Sequence, residues 1–130
     1  MDDLKAATQE IVDLHVLLQA WFRGEGSENP QDIIDHFAPG YEMVGAAGRR
    51  IGLDGFAAAL PKLRGSRPGL VMEIEDVAIH TRVGDALLAT YREVQTQGES
   101  RTERWSSALF VPGSTATGLA WSFLHETFLP

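Results

Sequence analysis

The apolar residues at the start of the chain recur every three or four positions, the spacing of one face of a helix. Between about residues 3 and 23 they form a single stripe: Leu4, Ala7, Ile11, Leu14, Leu18, Trp21 and Phe22. Asp2 and Asp3 can cap the start of this segment, and Gly24 and Gly26 follow its end, where glycine favours termination. We therefore predict a first helix from about Asp3 to Arg23.

A second helix start is marked by Asn29 and Pro30, a capping residue followed by the residue type favoured in the first helical turn. This helix carries the apolar residues Ile33, Ile34 and Phe37. The Ala-Pro-Gly sequence at residues 38–40 is expected to end it. Residues 41–44 are then predicted to form a short strand, followed by a glycine-rich turn over residues 45–52.

A third amphipathic segment begins near Leu53. Its apolar residues fall at i, i+3, i+4 and i+7, on one helical face: Phe56, Ala59, Leu60 and Leu63. Pro61 lies inside this pattern and removes a helical hydrogen bond. We predict a third helix that kinks or ends early at this proline.

The second half of the chain consists of segments rich in Val, Ile and aromatic residues, separated by glycine-containing turns. We predict strands over residues 70–81, 86–95, 101–111 and 121–129. Short turns at Gly84 and Gly98 join the first three, which indicates an antiparallel meander. Three helices followed by a sheet predict an α+β fold in which the helices cover one face of the sheet.

Composition narrows the classes of partner. The 130 residues are expected to form one domain, residues 1–130, and 44% apolar residues are enough for a core. The net charge of −7, from 11 basic and 18 acidic residues, argues against nucleic acid and against an anionic membrane surface. The chain has no cysteine. It also lacks a signal-peptide pattern and an apolar run of membrane-spanning length, so we expect a soluble cytoplasmic protein.

One predicted strand carries a candidate catalytic set. Tyr91, Glu93 and Gln95 share a face, which Leu87 and Ala89 continue as apolar residues. A carboxyl beside apolar side chains has its charged form disfavoured, so we expect a raised pKa for Glu93, suited to a general base. Tyr91 would then donate a hydrogen bond to a developing oxyanion. The alternative is that Glu93 is solvated or paired with Arg104 on the next strand.

The final strand contains the second candidate base, His125. Alternation places Trp121, Phe123 and His125 on one face and Glu126 on the other. We predict that His125 faces a pocket as a proton carrier, because Trp121 and Phe123 form the bulkier apolar set. The opposite orientation would make Glu126 the pocket carboxylate and would place His125 at an interface. His125 as a purely structural core residue is a further alternative.

The other histidines give no sign of a metal or cofactor. His15, His36 and His80 are expected at the surface or at helix ends, and no metal-ligand spacing is present. The glycines at residues 45–52 do not have the spacing of a phosphate-binding loop. We therefore predict no metal and no cofactor.

Large aromatic residues could wall a ligand pocket. The candidates are Trp21, Tyr41, Phe56, Trp105 and Trp121; the alternative is that they are simply core. Arg104 and Arg92 are the cations that could reach a pocket rim and hold an acidic ligand, although surface ion pairs are an alternative for both. The predicted ligand is a small apolar or weakly acidic molecule.

Several motifs resemble the nuclear-transport-factor-2-like superfamily. Residues 35–44 (DHFAPGYEMV) and 52–56 (GLDGF) are similar to its helix–strand–helix entry. Residues 121–127 (WSFLHET) resemble the closing strand of its SnoaL-like and calmodulin-kinase-association-domain branches. Residues 91–95 (YREVQ) and 104–108 (RWSSA) resemble the middle strands of small bacterial members without an assigned function.

The resemblance implies a cone-shaped curved sheet wrapped around the helices, an apolar pocket at its open end and, in many members, dimers formed through the sheet. Members include isomerases, dehydratases, polyketide cyclases, epoxide hydrolases and assembly domains. The expected function is thus small-molecule binding, with cofactor-free lyase, isomerase or cyclase chemistry by proton transfer. The alternative is a non-catalytic ligand-binding or homodimerisation module.

Overall fold

The computed structural model describes residues 2–130. Three helices are present in this part of the chain: α1 (Asp3–Arg23), α2 (Gln31–Ile34) and α3 (Leu53–Leu63). Six strands accompany them: β1 (Phe37–Val44), β2 (Arg50–Gly52), β3 (Val71–Val83), β4 (Ala86–Gln97), β5 (Ser100–Pro112) and β6 (Leu119–Phe128).

Helix α1 has the bounds that its apolar stripe predicts. The Asp2 carboxylate accepts a hydrogen bond from the Lys5 backbone N–H at 2.8 Å, which satisfies one of the free N–H groups at a helix start. Gly24 ends the helix in the left-handed conformation at φ 74°, which a glycine adopts without steric cost. The apolar stripe packs against the inner face of the sheet through Ile11 and Leu14, which are both buried.

Helix α2 is shorter than predicted. It ends at Ile34, and the chain enters β1 at Phe37 rather than at Tyr41. The reason is a long-range pairing, because Phe37 lies beside Trp121 in a parallel ladder with β6. Tertiary pairing overrides the local helix signal at this point.

Helix α3 begins where it is predicted and continues two residues past Pro61, to Leu63. The proline lies in the last turn of the helix, so only two helical residues follow it. The predicted early end of this helix, one of the two outcomes expected from Pro61, is therefore not found, because the helix extends to Leu63, the last residue of its apolar pattern.

The strands form one six-stranded sheet in the order β2-β1-β6-β5-β4-β3. The antiparallel meander from β3 to β6 is confirmed. The parallel pairing of β1 with β6 was not foreseen, and it adds β1 and β2 beyond the closing strand. The sheet is curved and open, and α1 packs on its inner side against β3 and β6. The predicted α+β cone is confirmed.

The core lies between the inner face of the sheet and helices α1 and α3. Its fully buried side chains include Ile11, Leu60, Tyr91, Phe110 and Trp121. No helix within residues 2–130 has the length and apolar character needed to cross a membrane.

Candidate functional site

A cavity of about 210 Å³ opens between α1, α3 and the inner face of the sheet. Most of its wall is apolar: Leu14, Leu18, Phe22, Phe37, Met43, Phe56, Met72, Trp121 and Leu124. Polar groups complete the wall: His15, Tyr41, Glu93, Gln95, Arg104 and Glu126. An apolar cavity with a few convergent polar groups is the usual form of a small-molecule site.

Strand β4 presents the face that its alternation predicts. Leu87, Ala89, Tyr91, Glu93 and Gln95 are all buried, and the ladder between β4 and β5 runs without a register shift. Only 1% of the Glu93 surface is exposed. The predicted solvated alternative for Glu93 is therefore wrong.

The partner of Glu93 is His15, which we expected at the surface. His15 is 6% exposed, and its Nε2 lies 3.1 Å from Glu93 Oε1. Its Nδ1 donates to the Ile11 carbonyl at 2.7 Å. The sequence carries a signal for this burial, because position 15 lies four residues after Ile11 and next to Leu14, on the apolar side of α1.

The pair has pKa shifts that favour a charged histidine and a charged carboxylate. Burial raises the pKa of Glu93, but the charge of His15 and hydrogen bonds from His15 and Gln95 outweigh it, so the pKa is lowered overall. Burial likewise lowers the pKa of His15, and Glu93 more than compensates, so the net shift is upward. The predicted rise in the Glu93 pKa is wrong because the sequence did not reveal its partner.

Glu126 is the second carboxyl in the cavity wall. It is 7% exposed, and its Oε2 accepts a hydrogen bond from Ser106 Oγ at 3.0 Å. Arg104 Nη1 lies 3.4 Å from Oε1, a weaker contact. Burial and the negative charge of Glu93 raise the pKa of Glu126, and Arg104 and Ser106 only partly offset this rise.

His125 lies on the exposed outer face of β6, so its predicted orientation towards the pocket is wrong. The opposite orientation, considered from the sequence, is the one found: Glu126 lines the cavity and His125 points away from it. The predicted role of His125 as a proton carrier in the pocket is therefore not compatible with its position.

A β-bulge explains this change of face. Leu109 of β5 lies opposite Phe123, but the next residue, Phe110, lies opposite Trp121. Ser122 is thus an extra residue in β6. A bulge shifts the alternation of side chains by one, so Trp121 faces inward although Phe123 and the residues alternating with it face outward.

The five candidate aromatic residues divide between two locations. Tyr41, Phe56 and Trp121 line the cavity. Trp21 does not: its Nε1 donates to the Leu60 carbonyl at 2.8 Å, which joins α1 to α3. Trp105 is 41% exposed on the outer face of the sheet, because its neighbours on β5 face inward. The ligand-binding role predicted for Trp21 and Trp105 is therefore corrected.

The two candidate arginines also occupy different locations. Arg104 lines the cavity, and its Nε is buried without a hydrogen-bond partner in residues 2–130. Arg104 lies opposite Glu93 in the sheet, but its hydrogen bond goes to Glu126. Arg92 lies outside the cavity in an ion-pair network with Glu75, Asp76 and Glu103, as the surface alternative predicted.

Tyr91 packs behind the cavity wall. Its ring lies edge-on to His15 at 5.7 Å and to Trp121 at 6.3 Å between centroids. Its hydroxyl is buried and has no hydrogen-bond partner in the described residues. Burial raises the pKa of Tyr91 well above its ordinary value. Tyr91 is not among the residues that line the cavity, so its predicted contact with a ligand oxygen does not fit its position; Tyr41 does line the cavity.

A second cluster of buried polar side chains contacts the indole of Trp121. The indole Nε1 donates to Glu10 Oε2 at 3.1 Å, and the same oxygen lies 2.5 Å from His36 Nδ1. Thr117 donates to the other Glu10 oxygen at 2.8 Å. The hydrogen bond with Glu10 raises the pKa of His36. His36 is thus half-buried and paired, whereas His80 is exposed as expected.

The polar wall can therefore donate and accept protons at one end of an apolar cavity. Its two carboxyls have pKa shifts of opposite direction, an arrangement that separates the roles of acid and base. Within residues 2–130, no three His, Asp or Glu side chains are grouped to hold a metal ion.

The fold is similar to many solved structures. A nuclear-transport-factor-2-like protein of unknown function from Pseudomonas aeruginosa is 27% identical, with a TM-score of 0.88 over 96% of this chain and 99% of that one. The calmodulin-dependent kinase II hub of S. rosetta is 16% identical, with a TM-score of 0.75 over 99% and 98%. No protein-family model and no curated protein matches the sequence.

A third similar structure is a candidate dehydratase of the same family from Streptomyces avermitilis. It is 10% identical, with a TM-score of 0.69 over 97% of this chain and 98% of that one. At the identities of the last two structures the likeness concerns the fold alone. The likeness to the Pseudomonas protein and the sheet order described above show that the chain belongs to the nuclear-transport-factor-2-like superfamily.

Proposed function

We propose that the protein is a cofactor-free enzyme that moves a proton on a small molecule bound in the cavity, as in lyase, isomerase or cyclase reactions. The observation that carries this proposal is the pair of buried carboxyls, Glu93 and Glu126, at one end of an apolar cavity. A solvent-excluded carboxyl with a raised pKa, as in Glu126, is a stronger base than an ordinary glutamate and is suited to proton transfer near neutral pH.

Glu126 is the proposed general base and acid. Both oxygens of Glu93 are engaged, by His15 and Gln95, whereas Glu126 keeps only one close hydrogen bond, from Ser106. Glu93 contributes indirectly, because its negative charge helps Glu126 to hold a proton. This assignment keeps Glu93 in the site but gives the proton transfer to Glu126, in place of Glu93 or His125, the bases predicted from the sequence.

The oxygen of the substrate would be held by Arg104 and Tyr41. Both line the cavity, and burial raises the pKa of Tyr41 so that its hydroxyl stays protonated. When Glu126 removes a proton from the carbon next to a carbonyl, the electron pair moves to the carbonyl oxygen. Donors placed at that oxygen stabilise the resulting enolate.

The cavity limits the size of the substrate. Its volume of about 210 Å³ lies below the range of roughly 300–1,000 Å³ typical of pockets for drug-sized ligands. The wall is apolar except for the carboxyl end, so the ligand would be a small, mostly apolar molecule with one oxygen-bearing group. A weakly acidic carbonyl compound meets this description.

Proton exchange tests the proposal without knowledge of the complete reaction. Cyclopentanone, 2-cyclohexen-1-one and similar small ketones would be incubated with the protein in deuterium oxide, and α-deuteration followed by proton NMR. We expect exchange faster than in buffer, and a loss of about 10²-fold or more in Glu126→Gln. Glu99→Gln, in the exposed β4–β5 turn, is the matched control. Exchange at the buffer rate for every ketone, or equal rates in the native protein and Glu126→Gln, would contradict the proposal.

A homodimer formed through the sheet is a second candidate function, and the outer face of β5 and β6 supports it. Trp105 is exposed there, and Leu109 and Phe123 lie opposite one another on the same face. A large exposed indole is typical of an interaction surface. Two of the similar structures are named as a hub and as an association domain, which favours a second copy of this chain as the occupant.

A further inference from the structure

A series of hydrogen bonds connects the loop between α3 and β3 with the buried pair at the cavity. In that loop, Arg67 donates from Nη1 to Gln95 Oε1 at 2.7 Å and from Nε to Gln97 Oε1 at 3.2 Å. Gln95 in turn donates from Nε2 to Glu93 Oε2 at 2.6 Å. The series ends at His15, 3.1 Å from the other Glu93 oxygen.

The direction of each bond follows from the chemistry of its two ends. A guanidinium can only donate, so Gln95 must turn its oxygen to Arg67 and its NH₂ to Glu93. A carbonyl can only accept, so Nδ1 of His15, which faces the Ile11 carbonyl, carries a hydrogen. The remaining proton, between His15 Nε2 and Glu93 Oε1, has two possible positions, one on each residue.

We propose that Arg67 is a positioning residue, which fixes the Gln95 amide so that this proton stays on His15 and Glu93 remains ionised. A donor directed at a carboxylate oxygen favours the charged form. Without Arg67, the amide is free to turn its oxygen towards Glu93, and repulsion between the two oxygens would move the proton onto Glu93. The charge state of the pair does not rest on the proposed function; only its effect on turnover does.

The other charged groups near the pair do not replace Arg67. Glu126 on β6 acts on His15 and favours its charged form. Arg104 on β5 acts on Glu93 and favours the carboxylate. Neither contacts Gln95, whose oxygen bonds to Arg67. The orientation of the amide therefore depends on the loop.

Nitrogen-15 NMR of the His15 ring in the full chain tests this role. In the native protein at neutral pH we expect both ring nitrogens to be protonated. In Arg67→Met the titration of His15 should shift to lower pH and Nε2 should lose its proton, whereas Arg67→Lys, which keeps a cationic donor, should restore the native behaviour. Gln95→Leu removes the amide without changing the loop and should shift the titration in the same direction as Arg67→Met.

Arg64→Met is the matched control, because Arg64 lies in the same loop but donates to the carbonyls of Glu25, Gly26 and Ser27. It should leave the His15 titration unchanged. A neutral His15 in the native protein, a native titration in Arg67→Met and Gln95→Leu, or an equal shift in Arg64→Met would overturn the proposal. None of these outcomes depends on ketone exchange, so the two proposals fail separately.

Discussion

Glu93 and Glu126 are both buried glutamates on the inner face of one sheet, and their different partners give their pKa values opposite shifts. Glu93 has a buried partner in His15, whose raised pKa favours the charged imidazolium. Glu126 has the negative charge of Glu93 nearby and only a 3.4 Å contact with Arg104. Burial alone disfavours the charged form of both carboxyls. The neighbouring charges then determine whether each carboxyl has a lowered or a raised pKa.

Replacing each carboxyl with an amide should therefore change the pH dependence of stability in opposite directions. Because the folded-state pKa of Glu93 is lowered, its contribution is present above its ordinary pKa of 4.5 and is lost as the pH falls. At pH 7, Glu93→Gln leaves His15 buried without a countercharge. We expect a loss of about 3 kcal/mol, which lowers Tm by on the order of 10 °C, and a deficit that shrinks towards acidic pH.

Glu126→Gln should behave in the opposite way. Because its folded-state pKa is raised above 4.5, Glu126 stabilises the protein fully only at acidic pH and loses that contribution as the pH rises through the folded-state pKa. The amide cannot ionise, so the stability of Glu126→Gln relative to the native protein should increase with pH. Thermal unfolding from pH 4 to pH 9 measures both variants, and parallel pH profiles for the two would contradict this account.

At the scale of elements, the sequence predicts faces correctly where a strand pairs without interruption. Alternation along β4 places Glu93 on a buried face, and α1 follows its apolar stripe. The prediction failed on β6 because Ser122 forms a bulge, which depends on the partner strand and leaves no mark in the alternation. It failed at the end of α2 for a related reason, the parallel pairing of Phe37 with β6.

The candidate site was found only in part for the same physical reason. Glu93 was predicted as a site residue, but its partner His15 lies 78 positions away in the sequence, and alternation within one strand carries no information about such a contact. The direction of the Glu93 pKa shift therefore could not be predicted. Trp121 and Trp105 were both predicted as pocket walls because of their size. Size does not reveal which face of a strand a residue occupies, and only Trp121 lines the cavity.

At the scale of the whole molecule, the two faces of the sheet have different compositions. The inner face holds the cavity and its ionisable groups. The outer face holds the exposed Trp105 of β5, which lies opposite Arg92 of β4 and its ion-pair network. The proposed ligand binding and the proposed self-association therefore involve opposite faces of the sheet and can be tested independently.

Trp105→Ser should weaken a dimer formed through the outer face. A central tryptophan of an interface contributes about 2 kcal/mol or more, so its loss should raise the dimer dissociation constant by about 30-fold or more. Sedimentation equilibrium measures this change. Val83→Ser, at an apolar residue that is 73% exposed beside the β3–β4 turn, serves as the control. A native protein that stays monomeric at high concentration, or an equal effect of both substitutions, would contradict a dimer through this face.

The central claim is that one buried glutamate stays charged so that the other can carry a proton. It is tested most directly by carbon-13 NMR titration of the glutamate carboxyls, with Glu93 and Glu126 assigned through their glutamine variants. The account predicts that Glu126 titrates above the ordinary glutamate value of 4.5 and Glu93 below it. If both carboxyls titrate at the ordinary value, or if Glu93 is the one that holds its proton to higher pH, the account is wrong.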